Sequence, residues 1–188
     1  MLRPAYPITT RRLFLRPFAE DDLDALFKIQ SREDVTKYLY WGPRTREEVA
    51  QAIQDRLLMT EIEEAGDKIV LAVALRETGE LIGDVTLGWH SAEHLGGEIG
   101  YTLHPDHHGK GYAGEAAVQL LRLGFEELGL HRIVGRLDSL NRPSGRVLER
   151  LGMRHEAHLR ENEFVRGRWA DETIYAMLAD EWRDLTEG

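Results

Sequence analysis

Short runs of apolar residues, several of them alternating with polar ones, predict a series of β-strands along the chain. Five segments have this character: RRLFLRPF (11–18), KIVLAVAL (68–75), LIGDVTLGW (81–89), GEIGYTL (97–103) and HRIVGRL (131–137). A longer segment, 158–178, predicts two further strands around a turn at Gly167. The sequence ETGE between the second and third strands is typical of a turn and predicts a hairpin.

Helical periodicity appears in four other segments: AEDDLDALFKI (19–29), TREEVAQAIQDRLL (45–58), a segment from about Ala113 to Gly129, and SGRVLERLG (144–152). The second opens with Thr45 and Glu48 in the spacing of a capping box. The third and fourth end at glycines, as helices commonly do. The order βααβββαβαββ predicts one mixed α/β (α+β) domain over residues 1–188, with an antiparallel sheet in its middle.

The charge balance narrows the classes of partner. There are 33 acidic and 24 basic residues, a net charge of −9, which argues against nucleic-acid binding and favours a cationic partner. The same charge also favours solubility, which is the alternative explanation for it. The chain contains no cysteine, which excludes disulfides, thiolate catalysis and cysteine-ligated zinc.

The location follows from the lack of targeting signals. No apolar run approaches the roughly 20 residues that cross a bilayer. The first 18 residues lack the apolar core and cleavage site of a signal peptide. We therefore expect a cytoplasmic protein with no membrane partner.

A glycine-rich turn joins the strand at 97–103 to the helix that follows, in the sequence HHGKGYAGEA (107–116). Gly109 and Gly111 remove side chains that would block an approaching pyrophosphate, and Lys110 adds positive charge. Unpaired N–H groups and the helix dipole make such a place suitable for phosphate. The turn fits neither a P-loop nor a Rossmann fingerprint, and a plain strand-to-helix turn is the alternative.

These residues resemble the acetyl-CoA loop of GNAT-superfamily N-acetyltransferases, and within them the RimJ/RimL-like branch. The loop pattern Gln/Arg-x-x-Gly-x-Gly/Ala is matched by His108, Gly109, Lys110, Gly111, Tyr112 and Ala113, except that histidine stands first. A second block, NRPSGRVLERLGM (141–153), resembles the branch's Asn-x-x-Ser-x-x-x-Leu-Glu-x-Leu-Gly-Met/Phe segment. Segments near both ends are also similar to that branch, so the resemblance covers nearly the whole chain.

The resemblance implies the GNAT acyl-CoA N-acyltransferase fold, with a splayed strand pair in a mixed, mostly antiparallel sheet and helices on both faces. It implies acetyl-CoA as co-substrate and no metal. The pantetheine arm is expected between the strands at 98–103 and 132–137, against the backbone of Tyr101, Thr102 and Leu103. The pyrophosphate is expected on Gly109 to Ala113, and Asn141 is expected to contact the pantetheine amides. Asn141 is equally typical of a helix N-cap.

Acetyl transfer to an amine requires a neutral amine, donors for the developing oxyanion and a proton for the departing thiolate. Many GNAT enzymes use a tyrosine as the acid, at the position that Leu148 holds here. Ser144 is the candidate acid in its place, as the resemblance to RimL-like enzymes implies, and a second capping hydroxyl is its alternative role. Glu98 is the candidate base, through water, and a solvated strand-end charge is its alternative. Tyr101 and Tyr112 are further candidates for the acid, and each is also plausible as a packing residue.

The acceptor is expected to be a primary amine. The resemblance implies a protein N-terminus, with polyamines, amino acids and antibiotics as alternatives. Candidate acceptor-site residues are Trp41, Asp84, Trp89 and Glu161, with Glu163 and Asp171 as further carboxylates. Homodimers are common in the family.

Two hypotheses from other functional classes remain as alternatives. His90 and His94, together with His104, His107 and His108, suggest a metal-dependent hydrolase, although the His-Glu-x-x-His pattern is absent. The departures from the family pattern at His108 and Leu148 leave room for a non-catalytic acetyl-CoA sensor, because fold alone does not determine function.

Overall fold

The computed structural model describes all residues, 1–188, and contains one eight-stranded sheet. The strands are β1 (Ile8–Thr9), β2 (Leu13–Arg16), β3 (Lys68–Leu75), β4 (Leu81–Ser91), β5 (Gly96–Leu103), β6 (Arg132–Asp138), β7 (Arg154–Val165) and β8 (Arg168–Leu178). The helices are α1 (Leu23–Gln30), α2 (Glu33–Thr36), α3 (Arg46–Leu57), α4 (Tyr112–Arg122), α5 (Arg142–Arg150) and α6 (Ala179–Glu187). A π-helical turn at Leu123–Glu127 continues α4.

The sheet is mixed but mostly antiparallel, which confirms the predicted fold class. Its strand order is β1-β2-β3-β4-β5-β6-β8-β7, and β5–β6 is the parallel pair. The predicted hairpin is present, because β3 and β4 pair antiparallel from Lys68↔Gly88 to Ala74↔Leu81. None of the helices is both long and apolar enough to span a membrane.

The parallel pair opens into a V. Strands β5 and β6 pair at only three positions, Gly96↔Arg132, Gly97↔Ile133 and Glu98↔Val134. Strand β5 nevertheless continues to Leu103 and β6 to Asp138. Beyond Glu98, β5 therefore has no partner on its β6 side, which confirms the expected splay and leaves a strand edge with unpaired backbone groups.

Helices cover both faces of the sheet, because alternate side chains of each strand point to opposite sides. On one face α1 and α3 bury a smaller apolar cluster: Phe18, Leu26, Ile29, Val49, Ile53, Val70, Ala72 and Leu81. On the other face α4 and α5 pack on the main core of 27 residues. Ala116, Leu120 and Leu121 of α4 are fully buried there, which fixes the first turn of that helix at the open end of β5.

Three elements lie outside the predicted pattern: β1, α2 and α6. Strand β1 has two residues and α2 has four, too few to display a period. Helix α6 is anchored by Trp182, whose ring stacks on Phe125 at 5.9 Å between centroids and whose Nε1 donates to Glu126. Strand β7 begins at Arg154, earlier than predicted, because its exposed first residues lack an apolar alternation.

Candidate active site

A cavity of about 700 Å³ lies at the open end of the V. Its wall combines the end of β5, the glycine-rich turn with the start of α4, and one face of α5. Ten residues predicted for the site line it: Tyr101, Thr102, Leu103, His108, Gly109, Gly111, Tyr112, Ala113, Asn141 and Ser144. The fold thus brings together two sequence blocks that are some thirty residues apart, because β6 returns the chain to the side of β5.

The glycine-rich turn adopts a backbone that only glycine accepts easily. Gly109 has φ +73° and Gly111 has φ +83°, both in the left-handed region. Gly111 is the N-cap of α4, and no side chain caps the first turn of the helix. The first N–H groups of α4 are therefore left without intrahelical partners at a cavity wall formed by Tyr112, Ala113 and Gly114.

His108 ties the turn to the end of β5. Its Nε2 lies 2.9 Å from the carbonyl oxygen of Leu103, so this ring nitrogen donates a hydrogen bond. His107 also lines the cavity, and its buried Nδ1 has no hydrogen-bond partner. The histidine that replaces the usual Gln or Arg thus contacts the strand backbone through Nε2.

Asn141 caps α5 and also lines the cavity. Its Oδ1 accepts a hydrogen bond from the N–H of Ser144 at 3.3 Å, which fulfils the N-cap alternative. The side-chain nitrogen of Asn141 makes no hydrogen bond within the chain, so it remains available as a donor.

Ser144 is hydrogen-bonded across the V to Tyr101. Its Oγ donates to the phenol oxygen of Tyr101 at 2.9 Å, and that phenol donates to the carbonyl oxygen of Ser144 at 2.9 Å. Burial raises the pKa of Tyr101 to about 12, although the hydrogen bond from Ser144 opposes the shift. The phenol therefore stays protonated at neutral pH and acts as a hydrogen-bond donor.

Leu148, at the position of the family's tyrosine, is buried. Its side chain packs where a Cβ on Gly135 of β6 would be, 2.7 Å from Leu148 Cδ1. It does not line the cavity. The hydroxyl groups at this part of the wall belong to Ser144 and Tyr101.

Glu98 is the last β5 residue paired with β6, at the closed end of the V. It does not line the large cavity. Its Oε2 lies 3.3 Å from Nε of Arg136 and 3.7 Å from Nδ1 of His90. Burial raises the pKa of the Glu98 carboxyl, and the charges of His90 and Arg136 only partly offset this.

Lys110 and the four candidate acceptor residues lie outside the cavity wall. Asp84 is buried beneath α3, 3.3 Å from Nη2 of Arg56. Trp89 packs against the main core and donates from Nε1 to the carbonyl of Ser91. Trp41 lies under the guanidinium of Arg44 at 4.0 Å. Glu161 is exposed in an irregular part of β7.

Several wall residues had no signal in the sequence analysis. Helix α2 and the turn after it contribute Asp34, Val35, Tyr38 and Leu39. From α5 come Arg146 and Arg150, which make no salt bridge within the chain. Their four-residue spacing places both on one helical face, a pattern that would have predicted a basic wall.

A second, much smaller cavity of about 20 Å³ adjoins the first, since Tyr38 and Leu39 line both. Four carboxylates contribute to its wall, those of Asp138, Glu163, Asp171 and Glu172. Asp138 is paired with Arg168, Asp171 with His158 and Glu172 with Arg136, and Glu163 makes no salt bridge. Glu172 is buried and accepts a hydrogen bond from Asn162 Nδ2 at 3.1 Å. Of the further carboxylates named from the sequence, Glu163 and Asp171 therefore lie beside the open V.

The histidines have other contacts. No three or more His, Asp and Glu side chains are grouped so that they could hold one metal ion. His104 Nδ1 accepts from the N–H of Asp106, and His107 lies 3.5 Å from Glu80. The geometry of a metal-dependent hydrolase is not formed by these residues.

Comparisons with known proteins agree with this architecture. Residues 12–154 match the acetyltransferase (GNAT) domain family. The uncharacterized N-acetyltransferase YnaD of Bacillus subtilis (strain 168) is 36% identical over 176 residues, which are 93% of this chain and 98% of that protein. A GNAT-family acetyltransferase structure from Bacillus anthracis superposes with a TM-score of 0.82 at 34% identity, covering 92% of this chain and 98% of the other.

A more distant relative is named as an N-acetyltransferase of a ribosomal protein. The [ribosomal protein uS5]-alanine N-acetyltransferase of Escherichia coli (strain K12) is 29% identical over 84 residues, 45% of this chain and 43% of that protein. The family match extends over most of the chain, and the nearer relatives align over nearly their full length. The chain therefore belongs to the GNAT family and is an acetyl-CoA-dependent N-acetyltransferase.

Proposed function

We propose that the protein transfers the acetyl group of acetyl-CoA to the N-terminal amino group of a protein, by direct attack of the amine in a ternary complex. The observation that carries this is the cavity of about 700 Å³, which joins the unpaired edge of β5, the glycine-rich turn and the Ser144–Tyr101 pair. An extended donor and an approaching amine can both enter such an open V.

The wall residues fit the donor along its length. The free N–H groups at the start of α4 suit the diphosphate, whose charge the helix dipole also favours. Arg146 and Arg150 suit the remaining phosphate, because neither guanidinium has an acidic partner in the chain. The open backbone of β5 and the free amide nitrogen of Asn141 suit the amides of the pantetheine arm.

Backbone and side-chain groups along the V supply the hydrogen bonds that acetyl transfer requires. N–H groups on the open edge of β5 donate to the thioester oxygen as negative charge develops there. The amine nitrogen forms a bond to the carbonyl carbon while the carbon–sulfur bond breaks. The Ser144 hydroxyl turns its proton from the Tyr101 oxygen to the departing sulfur, gives up that proton and regains one from water. The Tyr101 phenol still donates to the Ser144 carbonyl and so holds the residue at the wall.

Glu98 accepts the proton that the amine loses, through water. Its pKa is raised by burial, which brings the carboxyl closer to the neutral range that suits a general base. It sits at the closed end of the V, and Glu163 and Glu172 lie in the adjoining acidic cavity. Arg136 lies against both Glu98 and Glu172, so Glu163 is the carboxylate left to attract an ammonium group before it is deprotonated.

A small cationic amine is the second candidate acceptor. The acidic lining of the small cavity favours any ammonium group, whether it belongs to a peptide or to a polyamine. The resemblance to RimJ/RimL-like enzymes and the similarity to the uS5-alanine acetyltransferase favour the protein N-terminus.

The test is acetyl transfer to matched acceptors, read by mass spectrometry. Peptides with a free N-terminus should gain one acetyl group, while the same peptides with a blocked N-terminus and an internal lysine should not. Spermidine and single amino acids complete the panel. Faster transfer to spermidine than to every free N-terminal peptide would overturn the proposed acceptor and support the small amine. No transfer to any amine would overturn the proposed reaction.

A further inference from the structure

Arg12 lies against the glycine-rich turn although it is about a hundred residues away in the sequence. Its Nη1 donates to the carbonyl oxygen of Lys110 at 2.8 Å, and its Cζ lies 4.5 Å from the centroid of the Tyr112 ring. A Cβ on Gly111 would meet Nη2 of Arg12 at 3.4 Å. The guanidinium is therefore packed behind the turn, outside the cavity wall.

The same guanidinium is paired with Glu115. Nε of Arg12 donates to Oε2 of Glu115 at 2.7 Å, and the backbone N–H of Arg12 donates to Oε1 at 2.7 Å. The hydroxyl of Thr10 donates to Oε1 as well, at 2.6 Å. Although burial by itself raises the pKa of Glu115, these hydrogen bonds prevail and lower it, so the carboxylate is fully ionised at neutral pH.

The negative charge of Glu115 lies close to where we place the diphosphate of the donor. It lies in the first turn of α4 and lines the large cavity. A bare carboxylate there stabilises the helix but repels an approaching diphosphate. The charge of Arg12, held at 2.7 Å, cancels that repulsion.

The orientation of the turn adds to this effect. A trans peptide directs its carbonyl and N–H in opposite directions. Because the carbonyl of Lys110 points at Arg12, the N–H of Gly111 points away from Arg12. Gly111 itself lines the cavity, so this donor is presented on the ligand side.

We propose that Arg12 is a positioning residue for the acyl donor, which neutralises Glu115 behind the glycine-rich turn so that the first turn of α4 can accept a diphosphate. The inference rests on the proposed placement of that diphosphate at the turn. Arg12 does not touch the donor; it acts through Glu115 and the Lys110 carbonyl.

The test compares CoA binding by calorimetry in Arg12→Gln, Arg12→Lys and the double variant Arg12→Gln/Glu115→Gln. An exposed negative charge near the ligand should weaken binding roughly tenfold in Arg12→Gln. Lysine, which keeps the charge, should hold affinity within about threefold, and the double variant, which removes both charges, should recover most of the loss. If the double variant binds CoA as weakly as Arg12→Gln, the inference is overturned. That result would mean that the structural contacts of Arg12 matter and not its charge, because removing Glu115 does not restore those contacts.

Two further readouts separate charge from structure. S-acetylpantetheine lacks the diphosphate, so its kcat/KM should be the same in Arg12→Gln and in the unaltered protein. The binding defect for CoA should also shrink when salt is raised from about 0.05 to about 0.5 M, because screening weakens the repulsion. Equal losses with both donors, or a defect independent of salt, would overturn the role assigned to Arg12.

Substitutions of Gly111 and Arg12 separate the position of the diphosphate from the role of Arg12. If substitution of Gly111 abolishes CoA binding while Arg12→Gln leaves it unchanged, the donor site stands and Arg12 has no part in it. If neither substitution affects binding, the diphosphate lies elsewhere and both assignments fall. Thermal melting of each variant shows whether it is folded.

Discussion

The hydroxyl of Ser144 and the phenol of Tyr101 are joined across the open V of the sheet, 2.9 Å apart. The phenol in turn donates to the backbone carbonyl of Ser144, so strand β5 and the start of α5 are bridged twice. One bond fixes the position of α5 and the other fixes the Ser144 hydroxyl. The pair places a hydroxyl group at the cavity wall, where we propose that it acts as the acid.

Ser144→Ala should therefore affect turnover more than binding. Loss of the proton donor should lower kcat about 100-fold, a typical contribution of general acid catalysis. The Kd for CoA should stay within about threefold, because one neutral hydrogen bond contributes only about 1 kcal/mol. Steady-state kinetics and calorimetry on the same preparation give both values. Losses of equal size in kcat and affinity would show that Ser144 has only a structural role, as the bridge between α5 and β5.

Tyr101→Phe is the companion substitution. It keeps the ring in the wall but removes both hydrogen bonds to Ser144, so kcat should fall by less than in Ser144→Ala. Combining the two should cost little more than Ser144→Ala alone, because Tyr101 acts through that hydroxyl. Additive losses in kcat would show that Tyr101 acts independently of Ser144.

Gly111 allows a matched test of the glycine-rich turn. Gly111→Val should abolish CoA binding, since a branched side chain at φ +83° distorts the start of α4 where we place the diphosphate. Gly79, in the β3–β4 turn, has φ +74° and no atom within 4 Å of an added Cβ. Gly79→Val therefore serves as the control: each variant should lose about 1–2 kcal/mol of stability from the left-handed backbone.

Thermal melting and CoA titration of both glycine variants distinguish a general loss of stability, caused by backbone strain, from a specific loss of the diphosphate site. If Gly111→Val melts like Gly79→Val but still binds CoA with unaltered affinity, the diphosphate does not use this turn. If Gly79→Val loses affinity as well, strain alone is sufficient and the turn has no special role.

Local sequence patterns predicted many of the elements of this fold. Contacts between residues distant in sequence could not be predicted from such patterns. The glycine-rich turn and the β3–β4 hairpin were readable because adjacent residues determine each of them. The splay of β5 from β6 was expected only through the family resemblance, since nothing in either strand marks where pairing stops. The Arg12–Glu115 contact joins residues 103 positions apart, and no periodicity relates them.

Distance in sequence also explains why the enclosed position of Asp84 could not be predicted. Asp84 sits in the middle of β4, and its partner Arg56 comes from α3. Only the packing of α3 on β3 and β4 decides that this carboxylate is enclosed and not presented to a ligand. By contrast Tyr38 and Leu39 follow a four-residue helix that has no pattern of its own, yet they line both cavities.

The pH dependence of stability should reveal the burial of Glu98. Its folded-state pKa is raised, so the folded protein holds this proton more tightly than the unfolded chain, whose glutamate pKa is about 4.3. The protonated Glu98 carboxyl therefore adds to the free energy of unfolding below the unfolded pKa, and this stabilisation is lost as pH rises through the folded pKa. Glu98→Gln cannot titrate and removes this pH dependence. The stability of Glu98→Gln, measured as its difference from the unaltered protein, should therefore be more favourable at pH 8 than at pH 4.

Denaturant unfolding at the two pH values measures the Glu98 effect. The opposite sign, with Glu98→Gln relatively weaker at pH 8, would mean that the contacts with Arg136 and His90 outweigh burial. The same variant should lower kcat about 100-fold if Glu98 is the base.

The basic wall of α5 offers a last prediction about the donor. Arg146 lines the cavity without an acidic partner, whereas Arg142, one turn earlier on the same helix, is exposed outside the wall. Arg146→Gln should weaken CoA binding roughly tenfold, because a hydrogen bond to a charged phosphate contributes about 1.5–3 kcal/mol and solvent weakens it here. Arg142→Gln, with the same change in net charge, should leave affinity within about twofold.

Titration of both variants with CoA and with dephospho-CoA locates the contact. If Arg146 holds the 3′-phosphate, its substitution should not affect the affinity for dephospho-CoA. Equal weakening by Arg142→Gln and Arg146→Gln would instead indicate a general field of positive charge along α5.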